Sequence, residues 1–358
     1  MHDYLTQRGG AERVVLAMAR AFPGAPLLTS LYAPEHTFPD FATHDVRPSV
    51  LQHIPGLAAH HRFGLPLYAP TFSLMRSPAR LTICSTSGWA HGVSCVGTKL
   101  LYVYNTARWL YQGEDYFRGL DPRLRRLAEL AVAPLARWDR YHARGATKVL
   151  ADSEAVRRRI QEHWGVEAEV LYPPHGVEIN APQRPVPGIL PGYLLTVARL
   201  LAYKRVDVVV RALREQPQLR LIVVGTGPKL SELKAIGARN VTFLGRVGDA
   251  ELRWLYANAA ALVSAASEDL GLAPLEAMAF GRPVAVVRAG GFKETVLEGV
   301  TGTFFERPEP EAARAAITRV LTHPWDHEDI AAHAARFDEQ SFGVRLRSIA
   351  AALLADAL

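Results

Sequence analysis

The chain has 358 residues, 49% of them hydrophobic and 21% charged, and no low-complexity tract; this is the composition of a globular protein, long enough for two cores, and it excludes a disordered or fibrous chain. Only Cys84 and Cys95 are present, so neither a disulfide framework nor a CxxC zinc site is suggested, and a reducing cytosol suits the chain. The formal net charge of +6 is uneven: Met1–His175 carries 20 Lys+Arg against 15 Asp+Glu, and the remainder 21 against 20.

In chain order, HDYL reads as the last residues of a first strand, one whose beginning the start of the sequence cuts off, running into a Gly-Gly turn. The N-terminus has no basic region followed by an apolar run, which argues against a secretory signal. GGAERVVLAMARAF then predicts a helix, LTICSTS and KLLYVYN two strands, and TKVLADSEAVRRRI a strand and helix. Pro39 to Leu74 is loop-rich and resists assignment. The basic excess is densest from Arg118 to Arg144, where arginines alternate with Leu, Ala and Trp at helical spacing. That pattern fits a solvated helix face, or a contact with an anionic membrane surface or a phosphate-bearing lipid. No nucleic-acid-binding module accompanies the charge. No run approaches the ~20 apolar residues of a membrane span.

From Tyr172 to Gly192 prolines recur too often for a regular helix or a central strand, which reads as a linker. Beyond it YLLTVA, LRLIVVG, VTFLG, AALVSAA and RPVAVV alternate with helical patterns starting near Arg205, Pro228, Asp249, Pro274 and Lys293. Repeated βαβ units of this kind build a parallel sheet covered on both faces. The expected architecture is therefore α/β: an N-terminal Rossmann-like domain over 1–175, a proline-rich linker over 176–192 and a C-terminal Rossmann-like domain over 193–337. The two would face a central cleft, with a last helix, about 338–358, returning to the first domain.

Within this frame Glu268 falls in the loop after a buried strand, and Glu276 in the opening turn of the helix that carries Pro274 and ends at Gly281. Ligands of open α/β sheets bind at such strand ends, where free helix N–H groups attract phosphate. Arg199 closes the first strand of the same domain and Lys204 lies in the turn after it, so the two cations could face one diphosphate. Carboxylates and cations around one anion site call for a ligand with both hydroxyls and phosphates. A nucleotide sugar meets that description.

The motifs RGGAERV, VARLLAYKR, VVGTGP, FLGRV, EDLGLAPLEAMAFGRPV and AGGFKETVLEGVTGTFF together resemble glycosyltransferase family 4, retaining enzymes of the GT-B fold. The likeness covers nearly the whole chain, and the Asp-Leu-Gly variant with HDYLTQRGGAERV is similar to the O-antigen mannosyltransferase-like subgroup, whose donor is often GDP-mannose. The resemblance implies transfer of a hexose from GDP-mannose or a UDP-hexose to a glycan, a lipid-linked or a small-molecule acceptor, in the cytoplasm or at the inner face of the membrane. Carried over by residue, it makes Arg199 and Lys204 the diphosphate ligands, Glu276 the acceptor of ribose hydroxyls and Glu268 the contact to the transferred sugar; Arg199, Lys204 and Glu268 would be the catalytic set. Backbone groups over Phe243 to Val247, Arg246 and Val247 among them, would hold the base. Gly225, Gly271 and Leu272 would complete the donor site. Gly9 and Gly10 would let the first domain approach the diphosphate.

Two departures stand out: Asn105 occupies a position where many relatives have histidine, and Ala198 replaces a glycine before the arginine. Asn binds a sugar hydroxyl but exchanges no proton near neutral pH, so Asn105 is read as an acceptor or sugar contact. No Asp-x-Asp pair or His i, i+4 pair suggests a metal, and no cofactor beyond the donor is expected. Competing classes are a non-catalytic nucleotide-sugar-binding subunit and a same-fold 2-epimerase or phosphorylase. A dehydrogenase is disfavoured because no GxGxxG opens either domain.

Overall fold

The computed structural model describes residues 1–111 and 122–356. The chain forms two compact units, Met1–Pro174 with Glu339–Leu358, and His175–Asp338.

In the first unit the strands are β1 Leu27–Thr29, β2 Val46–Pro48, β3 Arg76–Ser77, β4 Leu81–Thr86, β5 Ser94–Cys95, β6 Thr98–Val103, β7 Lys148–Ala151 and β8 Glu169–Val170. Their sheet runs β4-β6-β7-β8, all parallel, and β1 pairs with β2. His2 bridges Thr29 on one side and Ser85 on the other, so the opening residues fill the gap between β1 and β4. Every residue of β6 is buried because both of its faces are covered. Leu101 and Val103 point to Val156, Ile160 and Trp164 of the helix Glu154–Trp164. Leu100 and Tyr102 point to Val14, Ala17 and Met18 of the helix Gly10–Ala21, and to Phe342 and Leu346 of the helix Glu339–Ala355. Period-two alternation along β6 thus divides its apolar side chains between two helix layers, each buried side chain contributing roughly 1.5–3 kcal/mol. The 39–74 stretch contains three short 3-10 turns and the helix Leu65–Leu74. Of the basic segment, 118–121 lies outside the described residues; from 122 onward it belongs to the helix Pro122–Arg144.

The second unit holds β9 Tyr193–Val197, β10 Leu221–Val224, β11 Val241–Gly245, β12 Ala259–Ser264, β13 Val284–Val287 and β14 Gly302–Phe305 in one parallel sheet, ordered β11-β10-β9-β12-β13-β14. Numbered from β9, that is the doubly wound order 3-2-1-4-5-6, whose direction of growth reverses between β9 and β12. The sixth strand was not legible as a separate apolar run, since its four residues sit inside the TGTFF turn segment. The helix Val206–Arg214 buries Val206, Val208, Val209, Val210, Ala212 and Leu213. The proline-rich 176–192 stretch is less free than its composition implies. It lies along the helix Asp249–Asn258: Arg184 N–H donates to Ala250 O at 3.0 Å, Gly192 N–H to Asn258 O at 2.9 Å, and the Arg253 guanidinium to Pro182 O at 2.8 Å.

Candidate functional site

The reversal between β9 and β12 parts the loops that leave these two strands and opens a crevice at their carboxyl ends. Arg199 and Lys204 come from the first loop and Glu268 from the second. The structure joins them: Lys204 Nζ lies 2.5 Å from Glu268 Oε2, with the two side chains 11% and 24% exposed. Lys204 also stands over the Tyr203 ring, 5.1 Å from its centroid. Arg199 is exposed and donates to Tyr203 Oη at 3.3 Å. The sequence placed Lys204 on a diphosphate and Glu268 on a sugar; here each neutralises the other across the crevice. Backbone strain accompanies the pair. Arg205, next to Lys204, has φ +48°, the one positive value at a non-glycine among the described residues.

Glu276 requires a correction. The helix Leu272–Ala279 starts at Leu272 after the N-cap Gly271, with no acidic residue in its first turn, so Glu276 is in the second turn. The helix dipole falls off within one turn, and it is not what holds this carboxylate. Tyr256 Oη donates to Glu276 Oε2 at 2.6 Å, leaving Oε1 for another donor. Beside it His175 is 4% exposed, and neither ring nitrogen has a hydrogen-bond partner among the described residues. Burial holds the His175 pKa below its ordinary value, although the Glu276 charge raises it. Sequence reading missed Tyr203, Tyr256 and His175. The first lay inside a quoted motif, whereas Tyr256 looked like one more apolar residue of a helix face.

The remaining loops are fitted to these two. Gly225, with φ +130°, presses its Cα against the strand-end backbone, and a Cβ there would lie 1.9 Å from Ala198 O. Its N–H donates to Gly245 O at 2.7 Å, tying the exit of β10 to that of β11, where Arg246 is exposed and Val247 half-buried. Gly291 N–H donates to Glu268 O at 2.8 Å, so the loop after β13 sets the backbone that carries Glu268. Of the predicted donor-site residues, Gly225, Arg246, Val247, Gly271 and Leu272 belong to loops or helix starts at one edge of this sheet, and Glu276 to the second turn of the helix that Leu272 opens.

In the first unit Gly9 is the N-cap of the helix Gly10–Ala21. Its missing side chain makes room for Glu12, since a Cβ would lie 2.5 Å from Glu12 Oε2. Glu12, the third residue of the helix, folds back over the helix start, where Gly9 has no side chain to cap it. Burial pushes its pKa up to about 7, against the opposing pull of its own N–H, Gln7 and Gly9. Asn105 is buried just beyond the carboxyl end of β6. Among the described residues no three His, Cys, Asp or Glu side chains are grouped to hold a metal ion, and no helix is long and apolar enough to cross a membrane.

The second unit thus brings cations and carboxylates together on adjoining loops at the switch point of a doubly wound sheet, the place where such sheets bind ligands. A family model described as "Glycosyl transferases group 1" matches residues 188–338. The chain is 28% identical over 267 residues to a GDP-mannose-dependent alpha-(1-6)-phosphatidylinositol monomannoside mannosyltransferase of Mycolicibacterium smegmatis, covering 70% of this chain and 63% of that protein. It is 35% identical over 164 residues to a D-inositol 3-phosphate glycosyltransferase of Mycolicibacterium paratuberculosis, covering 37% and 36%. The chain thus spans between about a third and under two thirds of the length of these curated relatives. Among solved structures, Anabaena HepE in complex with UDP superposes with a TM-score of 0.71 at 19% identity, covering 98% of each chain. At that identity the likeness speaks for the fold, which is GT-B.

Proposed function

We propose that the protein is a retaining glycosyltransferase that moves a hexose from a nucleotide-sugar donor to an acceptor hydroxyl, with GDP-mannose as the first donor to try and a glycan or lipid-linked hydroxyl as acceptor. The observation that carries the reading is the Lys204–Glu268 pair spanning the switch point, with Arg199 on the same loop. The glycosyl transferases group 1 match over the domain that holds these residues supports it.

Breaking the bond between sugar and phosphate leaves negative charge on the departing diphosphate and positive character on the anomeric carbon. Fixed cations at the phosphate end lower that barrier. Arg199 offers a bidentate fork and Lys204 a point charge. Glu268 orients hydroxyls of the sugar, and Glu276, buttressed by Tyr256, takes ribose hydroxyls. The acceptor proton passes to the leaving phosphate oxygen on the same face as attack, which gives retention, and two cations with a helix N-terminus neutralise the diphosphate without an obligatory divalent ion. In the first domain, Asn105, buried just past β6, is the residue that binds an acceptor hydroxyl.

The mannose donor draws support from the mycobacterial relative, and a UDP-hexose from HepE, also solved with UDP-glucose. Calorimetric titration with GDP and with UDP separates the two: the matching nucleotide binds at least about tenfold tighter, a difference of 1.4 kcal/mol. Failure of both to bind removes the reading.

A further inference from the structure

The first unit has a second cationic feature, at the opposite edge of its sheet from Asn105 and Gly9. A cavity of about 720 Å³ opens at the amino ends of β6 and β7. Its described lining residues include Lys99, Arg137, Arg140, His142 and Arg144, with no aspartate or glutamate among them. Lys99 is the second residue of β6 and Asn105 lies just past its end, so at about 3.3 Å per residue the two places are roughly 20 Å apart.

Sequence spacing builds the wall. Arg137, Arg140, Tyr141 and Arg144 stand at i, i+3, i+4 and i+7 of the helix Pro122–Arg144 and so share one face. Lys99 rises from the floor, 8% exposed, and donates to His91 O at 3.0 Å. Arg144 spends its Nε on Trp164 O at 2.7 Å, while Arg137 and Arg140 form no ion pair among the described residues. The carboxylate nearest in sequence is engaged elsewhere: Asp139 is fully buried, accepting from Tyr111 Oη at 2.7 Å and Trp164 Nε1 at 2.6 Å, with His91 Nε2 at 3.0 Å. Burial and the neighbouring Lys99 keep His142 neutral near pH 7, with a pKa lowered to about 4. Four positive side chains thus line one concavity, with no carboxylate among its described lining residues.

Like charges gathered this way repel, and an anion with several acceptor oxygens relieves the repulsion while using the arginine forks. We propose that this cavity is a binding site for a phosphate group, separate from the nucleotide-sugar site. Either a lipid headgroup or a free phosphate compound carries that chemistry. Val96, 84% exposed between two lining residues, and Tyr141, 75% exposed, give the rim the apolar and aromatic character that suits a headgroup.

The test uses the whole chain, an R137A/R140A variant of two helix-surface positions, and an R214A/R239A variant that removes the same charge from exposed positions of the second unit. Each is titrated with inorganic pyrophosphate by calorimetry and co-sedimented with phosphatidylcholine vesicles with and without phosphatidic acid. The expected result is saturable binding to pyrophosphate, or to the phosphatidic acid vesicles only, weakened about tenfold or more in R137A/R140A and within twofold of wild type in R214A/R239A. Binding to both probes assigns a general phosphate site, and binding to vesicles alone assigns a headgroup. Equal losses in the two variants, or no binding to either probe, overturn the proposal.

Discussion

The contact between Lys204 and Glu268 makes Glu268→Gln an informative substitution. At 2.5 Å, with side chains 11% and 24% exposed, the pair is a charge-assisted bond shielded from much of the solvent. Such bonds contribute about 1.5–3 kcal/mol, and the residual exposure argues for the lower part of that range. A diphosphate entering the crevice must draw Lys204 away from that carboxylate, so part of its binding energy is offset before any gain. Glutamine fills the same space without the charge. Glu268→Gln should therefore bind free nucleoside diphosphate more tightly than wild type, by about three- to tenfold, while turnover falls because the sugar loses its orienting carboxylate. Lys204→Ala should weaken the nucleotide by about tenfold or more. In the Lys204→Ala background the Glu268→Gln gain should vanish, which makes the double-mutant cycle the decisive form of the experiment. Calorimetry with the preferred nucleotide supplies all four affinities. Weaker binding by Glu268→Gln, or an equal gain with and without Lys204, would refute the competition.

Glu276→Gln should weaken nucleotide and intact donor alike, by about 1–3 kcal/mol, and Tyr256→Phe by less, because the phenol acts only by holding Glu276 Oε2 at 2.6 Å; equilibrium titrations of both variants check the order. Gly225→Ala sets a Cβ 1.9 Å from a backbone carbonyl at φ +130°, and should destabilise the second unit by about 3 kcal/mol or more in urea unfolding; retention of wild-type stability would show that the loop relaxes freely. Glu12, with its folded pKa raised to about 7 from 4.5, favours the fold in its protonated form. Its contribution is complete below the unfolded value, is lost as pH rises to about 7, and is absent above; it amounts to about 3 kcal/mol over that window. Thermal melts between these limits should show wild type losing stability relative to Glu12→Gln as pH rises, and parallel profiles would show that Glu12 is solvated. His2, buried with its pKa lowered to about 4, acts in the opposite sense in both proteins and cancels in the comparison.

The doubly wound sheet of the second unit was legible because parallel strands buried on both faces read as continuous apolar runs, and LIVV and VAVV could be little else. The first unit was harder to read for the same physical reason in reverse. Its β1, β2 and β8 have three, three and two residues, too short for any periodicity, and the 39–74 stretch turns in 3-10 pieces. From sequence, strand-end position placed Arg199 and Lys204 on one loop and Glu268 on the next, as the structure has them. The partners that fix their behaviour did not follow, because Lys204–Glu268 and Tyr256–Glu276 are contacts between different βα units. Glycine turns were found but differently employed: Gly9 gives space to a buried carboxylate, and Gly225 lets two strand exits touch.

The central claim is that cations at the β9 exit stabilise a departing nucleoside diphosphate. Its most direct test incubates the protein and its Arg199→Ala variant with a panel of nucleotide sugars and follows nucleoside diphosphate release, with and without acceptor and in excess EDTA. The account predicts release from one donor, persisting under chelation, with kcat/KM lowered by about 10² in the variant. Release from no donor, or wild-type turnover by Arg199→Ala, would contradict it.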